Sequence, residues 1–185
     1  MAKGNTERVV LGGGTHYVAP YTGGELESLK TYCVDDNIIG WTQGGTTLTY
    51  TPEIKNIEDD VGMVRKTFMS KANADLKTGL LTLDVQSISE IMSVGKFTPG
   101  EPGGVNTLKL GGGKSALKKY IAVFEYKDEE YGKNLRVGIV ATNTAALEMI
   151  FNKEKETVPP VTFSAVSNGV DDTIVVIEED VPQVS

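Results

Sequence analysis

The sequence predicts a mainly β domain with one flanking α-helix, built as a β-sandwich or barrel and carrying one long β-hairpin. Three observations point there. Twenty-one glycines are spread among short apolar runs, as tight turns between strands require. From Thr46 to Lys55, Leu48, Tyr50 and Ile54 alternate with Thr47, Thr49, Thr51, Glu53 and Lys55, which is the period of a strand. In the second half, turn signals at Gly111-Gly112-Gly113, Asp128–Gly132 and Asn168-Gly169 divide several short apolar runs.

The elements follow in order. Arg8–Leu11 and His16–Ala19 read as short strands around Gly12-Gly13-Gly14. Glu25–Val34 reads as a brief helix on the spacing of Leu26 and Leu29. Thr46–Lys55 is a strand rich in threonine and tyrosine, both favoured in sheets, and its threonine face meets water. Asn56–Gly62 is an acidic turn. Met63–Lys77 returns as a second strand, with Val64, Phe68, Ala72, Ala74 and Leu76 set between Arg65, Lys66, Lys71, Asp75 and Lys77.

Thr82–Val94 then changes period. Leu81, Val85, Ile88 and Met92 are spaced by four, three and four, which predicts one apolar helical face packed on a sheet. Asp84 fits the N-cap and Gly95 the terminus. Phe97–Gly104, broken by proline and glycine, is expected to be irregular. Strands are expected at Val105–Leu110, Tyr120–Tyr126, Leu135–Thr142, Val161–Val166 and Thr173–Ile177.

The chain of 185 residues reads as one domain, 1–185, with an extended N-terminal segment of about 1–8 and a C-terminal tail of about 179–185. Its net charge of -7 opposes gripping nucleic-acid phosphates. The acidic runs Asp128–Glu129–Glu130 and Glu178–Glu179–Asp180 are expected in solvated loops or strand ends. Cys33 is the only cysteine, which rules out an internal disulfide, argues against zinc and fits a reducing compartment. The N-terminal residues lack the apolar core of a signal peptide, and no run approaches the roughly 18 apolar residues of a membrane span. Folding in a cytoplasm is the expectation.

Little in the sequence points to catalysis. Gly112-Gly113-Lys114-Ser115 resembles the end of a phosphate-binding loop, but Leu108 stands where its first glycine belongs. Gly12-Gly13-Gly14-Thr15 lacks the dinucleotide-binding spacing. His16, the only histidine, is expected at a surface or strand end. The pairs Asp35-Asp36, Asp59-Asp60 and Asp171-Asp172 do not have the geometry of a two-carboxylate site. Neither a cofactor nor a metal is called for.

The order of the pieces carries a resemblance. The strand entering Asn56-Ile-Glu-Asp-Asp-Val-Gly-Met-Val-Arg-Lys is followed by a second strand with Ala72-Asn-Ala-Asp-Leu-Lys-Thr-Gly-Leu-Leu-Thr-Leu-Asp-Val and the helix Ser87–Val94. Later strands include Leu147-Glu-Met-Ile-Phe and Pro160-Val-Thr-Phe-Ser-Ala-Val. This layout resembles the tail tube proteins (major tail proteins) of long-tailed bacteriophages. Those are themselves related to tube proteins of contractile tails, phage-like bacteriocins and type VI secretion.

The resemblance implies a sandwich or small barrel with a flanking helix, hexameric rings joined into a continuous lumenal β-barrel, and stacking of rings into a tube for DNA ejection. It implies a virion tail protein assembled in a host bacterial cytoplasm. Its partners would be copies of itself, a tape-measure protein, and tail terminator and tip or baseplate proteins, with DNA passing unbound and no membrane partner. On that reading Thr47, Thr49, Thr51, Glu53 and Lys55 are lumen candidates. Glu58, Asp59 and Asp60 form an acidic tip reaching a neighbouring ring, flanked by Arg65 and Lys66. Lys114, Lys118 and Lys119, or the Lys109 region, are the candidate receivers of that tip. The competing readings are a tube subunit of a contractile or secretion apparatus and a carbohydrate- or host-binding module. Trp41 and scattered tyrosines are a thin aromatic supply for the latter.

Overall fold

The alternation of Tyr120–Asp128 and Lys133–Asn143 places apolar side chains on both faces, so these two strands form the middle of a sheet. The computed structural model describes residues 13–40, 42–58, 65–81, 84–111, 117–128, 132–149 and 158–181. In chain order the elements are β1 (Thr15–Pro20), β2 (Thr42–Glu58), β3 (Arg65–Leu80), α1 (Val85–Ile91), β4 (Lys96–Thr98), β5 (Thr107–Lys109), β6 (Tyr120–Asp128), β7 (Lys133–Asn143), β8 (Pro160–Ala165) and β9 (Val176–Glu179). Short 3-10 turns lie at Leu29–Tyr32 and Asp35–Asn37.

The fold is mainly β. An antiparallel sheet runs β1-β6-β7-β8-β3-β2, and β9 joins β7 as well. Strands β8 and β9 share one edge of β7: β8 takes Ala141–Asn143 and β9 takes Leu135–Gly138. Between them the Val166 amide donates to the Val140 carbonyl at 2.8 Å. A separate ribbon pairs β4 with β5.

The inner face of the sheet encloses the main core. Val18 of β1, Leu76 and Leu80 of β3, Tyr120 and Ala122 of β6, Ile139 and Ala141 of β7, and Val161 and Phe163 of β8 pack together with Ile91 of α1; Leu48 of β2 packs against them. Each fully buried side chain of this size contributes about 1.5–3 kcal/mol. The outer face of β1, β6 and β7 is covered by the segment after β1. There Leu29 packs on Tyr17, Ile121 and Val123. Gly138 permits this, because a Cβ at that position would collide with the Leu29 side chain.

Helix α1 is shorter than the periodicity predicts. Asp84 caps it by accepting from the Ser87 amide at 2.9 Å and the Ser87 hydroxyl at 2.6 Å. Its last carbonyls are taken by the Asn143 side chain (to Ile91, 2.9 Å) and the Tyr120 hydroxyl (to Met92, 2.6 Å), so the chain turns out before Gly95. The predicted core face is corrected accordingly. Ile88 and Ile91 are buried, Met92 is half-buried at the C-cap, and Leu81 and Val85 are exposed.

Other expectations need correction. Glu25–Val34 holds a single 3-10 turn, since Leu29 and not a helical stripe is what the sheet accepts. Phe97 lies in β4 and is therefore not irregular. Leu147–Met149 is not a strand, and 150–151 lie outside the described residues. The last strand is displaced to Val176–Glu179, so Glu179 belongs to the fold and not to a tail. Asp128 falls at a strand end, the last residue of β6, and is buried there. The segments 1–12 and 112–116 lie outside the described residues, and with them Arg8–Leu11 and Lys114.

Candidate assembly surface

The hairpin β2–β3 is longer than the sheet that supports it. β3 pairs with β8 only from Asp75 to Gly79, so its Arg65–Ala74 part is paired with β2 alone. Among the described residues β2 has no strand on its other side. At about 3.3 Å per residue, the stretch from Tyr50 to Glu58 extends roughly 25 Å past the sheet. Almost every side chain on this arm is exposed on both faces.

Register sorts the arm into two faces. One carries the pairs Leu48–Leu76, Tyr50–Ala74, Pro52–Ala72 and Ile54–Met69. At the root this is the face of the buried core, and further out it is bare: Tyr50, Ile54 and Met69 are 48%, 63% and 59% exposed. A bulge at Ser70, whose hydroxyl donates to the Glu53 carbonyl at 3.1 Å, adjusts the pairing between Glu53 and Ile54. The other face carries Thr47–Lys77, Thr49–Asp75, Thr51–Asn73, Glu53–Lys71, Lys55–Phe68 and Ile57–Lys66.

The arm therefore brings Thr47, Thr49, Thr51, Glu53, Lys55 and Lys66 to one face. On it Asn73 donates to Glu53 at 3.2 Å and Ser164 donates to Asp75 at 2.7 Å. Arg65 falls on the opposite face, ion-paired with Glu58 at 2.6 Å. Asp59 and Asp60 lie outside the described residues, as does Trp41. Lys118 and Lys119 border a cleft of about 770 Å³ beside Tyr21, Asp36 and Glu90.

Below the arm lies an open groove of about 950 Å³. Tyr50, Met69 and Ala72 form one wall, and Ile174, Val175 and Ile177 the other. Asp172, also lining it, adopts a φ of 59° and accepts from the Ser167 hydroxyl at 2.9 Å; Asp171 accepts from Asn168 and from the Thr173 amide. These acids are thus held in one tight turn, Asp172 lining the groove and both exposed. Sequence reading missed this wall because Thr173–Val175 is not a strand. The apolar run Ile174–Ile177 was its only signal.

The remaining polar groups of note are buried or half-buried and structural. His16, expected at a surface or strand end, is buried inside the rolled sheet, and burial pushes its pKa down to about 4. Glu125 and Arg136 face each other across β6 and β7 at 2.9 Å. Glu125 also accepts from Tyr17 and Asn134. Arg136 reaches on to Asp180 at 2.6 Å, and that hydrogen bond raises the arginine pKa and lowers that of Asp180. Glu178 accepts from the Leu29 amide at 3.0 Å and the Ser28 hydroxyl at 3.1 Å. Glu178, at a strand end as expected, and Asp180 just beyond it thus fasten β9 to the body. Burial pushes the Cys33 thiol up to about 11, which makes it a poor nucleophile at neutral pH. Among the described residues no cluster of His, Cys, Asp or Glu could hold a metal, and no helix is long and apolar enough to cross a membrane.

No family model matches the chain, and a search of curated proteins finds no match.

Proposed function

We propose that this chain is a structural subunit that assembles with copies of itself into stacked rings, as a tail tube protein does, to form a channel that DNA crosses without specific binding. The observation that carries this reading is the arm. A two-stranded ribbon is marginal in water by itself, and a long unpaired strand edge is an aggregation hazard unless a partner covers it. Among the described residues the 17-residue β2 is an edge strand, with apolar side chains continued to its far end.

The polar face bearing Thr47, Thr49, Thr51, Glu53 and Lys55 is the candidate lumenal face. It mixes hydroxyls with both charge signs, which suits a wet channel, and towards the tip it also carries exposed Phe68 and Ile57. Glu58, with Asp59 and Asp60, is the candidate tip. The virion tail, the tape-measure protein, and the terminator and tip proteins enter as part of this proposal.

The test is electron microscopy of the purified protein at high concentration, with its mass measured by light scattering. Rings or hollow tubes of uniform width support the reading. A monomer at every salt and protein concentration counts against it.

A further inference from the structure

We propose that Asn168 is a latent deamidation site: the fold holds the 167–173 turn closed against the reaction, and a turn that has reacted no longer closes.

Asn168 is the one asparagine in the chain that glycine follows. Glycine has no Cβ to shield its amide, so the Gly169 nitrogen is free to attack the Asn168 side-chain carbonyl carbon once the two meet. The N–Cγ bond forms and the Cγ–Nδ2 bond breaks. The amine leaves as ammonia, carrying the proton given up by the Gly169 nitrogen. Water then opens the succinimide at either carbonyl. Aspartate or isoaspartate is left at position 168, with no change of oxidation state.

In the folded chain the groups that react are already engaged. Buried Asn168 accepts at Oδ1 from the Val170 amide at 3.0 Å and the Asp171 amide at 3.3 Å. Its Nδ2 donates to Asp171 at 2.6 Å. The attacking nitrogen is tied as well: the Gly169 amide donates to the Ser167 hydroxyl oxygen at 3.0 Å, and that hydroxyl donates to Asp172 at 2.9 Å. Cyclisation expels Nδ2 and removes the Gly169 proton, so it forfeits both bonds. It therefore proceeds from the opened turn, at a rate set by how often the turn opens.

Conversion changes the sign of the central contact. A carboxylate oxygen replaces Nδ2 opposite Asp171, so a hydrogen bond becomes repulsion between two acids. Isoaspartate also lengthens the backbone of the turn by one methylene. The Asn168 carbonyl accepts from the Tyr21 hydroxyl at 2.9 Å, and this bond ties the turn to the chain after β1. An opened turn loses that tie.

The experiment incubates the full chain at mildly alkaline pH, in buffer and in urea, and follows Asn168 by peptide mass mapping. Conversion should be at least about tenfold slower in buffer than in urea. Asp171→Ala removes the acceptor of Nδ2 and should speed conversion in buffer about tenfold, with the rate in urea and the circular dichroism spectrum unchanged. The converted chain, separated from the parent by its added negative charge, should exchange amide hydrogens faster across 167–175. Equal rates in buffer and urea, or no effect of Asp171→Ala, overturn the guarding of the site. Unchanged hydrogen exchange in the converted chain overturns the release of the turn.

Discussion

The His16 Nε2 lies 2.6 Å from the Thr46 hydroxyl oxygen, although the two residues belong to strands at opposite edges of the sheet. In a flat sheet β1 and β2 would stand about 24 Å apart, five strand spacings. The side-chain contact therefore means that the sheet is rolled until its edges nearly meet. The His16 ring is packed against Phe124, with ring centroids 5.0 Å apart. The bond sits in the supported root of the hairpin, since Thr46 pairs with Thr78, which pairs in turn with Val161 of β8.

His16 makes stability pH-dependent with a definite sign. Its pKa falls from 6.5 in the unfolded chain to about 4 in the folded one, so between those values only the unfolded chain takes up the proton. The contribution is intact above pH 6.5, is lost as pH falls and is fully gone near pH 4, a loss of about 3 kcal/mol. Urea unfolding at pH 7, 5 and 4 should show His16→Gln losing less stability on acidification than the parent. Parallel pH profiles for the two proteins would contradict the assignment.

Leu29 over Gly138 gives a second expectation. Gly138→Ala forces the leucine off the sheet and should cost about 1–3 kcal/mol. Leu29→Ala leaves a cavity and should cost about 2–5 kcal/mol. The double variant should cost less than the two together, because the added methyl enters the vacated space. Additive costs in denaturant titrations would show that the two positions do not compete for the same volume.

Residue patterning made some of this architecture legible and left other parts hidden. Alternation located β2, β3, β6, β7 and β8 because each has a face whose side chains are apolar at every second position. It started β2 at Thr46 and not at Thr42 because Gly44 and Gly45, with φ of 87° and 78°, form a bulge that reads as a turn. The helical spacing of Leu81 and Val85 misled because the helix begins only at Val85, behind the Asp84 cap, so Leu81 precedes it. His16 was expected at a surface or strand end; it does lie near the start of β1, but its burial was not legible because its partner is thirty positions away, across a closure that local pattern does not encode. The faces of β2 could be read from the alternation, but those of β3 only as far as the bulge at Ser70, past which Phe68 falls on the threonine face and Met69 on the apolar one. The groove could not, since its second wall comes from a segment nearly a hundred residues later.

Arg136 should be the most sensitive charged position described. It is 3% exposed and joins Glu125 to Asp180. Arg136→Ala leaves Glu125 buried beside vacated space and should cost about 3–5 kcal/mol. Asp180→Asn removes the less buried partner and should have a smaller global effect, with its consequence concentrated in β9. Hydrogen exchange should then quicken at Val176–Glu179 while β6 is unchanged. Uniform protection in Asp180→Asn would mean that backbone pairing to β7 is sufficient to hold this strand.

The last expectation separates residues kept for folding from residues kept for contact on a single face of one hairpin. Leu76 and Met69 are both apolar, both on β3 and both on the face that carries Leu48 and Ile54. Leu76 is 1% exposed in the core, so Leu76→Ala should cost about 2–5 kcal/mol. Met69 and Ile54 lie past the supported part of the sheet at 59% and 63% exposure, so polar replacements there have little core packing to remove. Met69→Ser with Ile54→Ser should leave the unfolding midpoint of dilute protein within about 0.5 kcal/mol of the parent. At high concentration the same variant should lose assembly. If it instead unfolds like Leu76→Ala, the apolar stripe of the arm belongs to the fold of one chain. If it folds and still assembles, the stripe is not the contact, and the unpaired backbone edge of β2 becomes the surface to test.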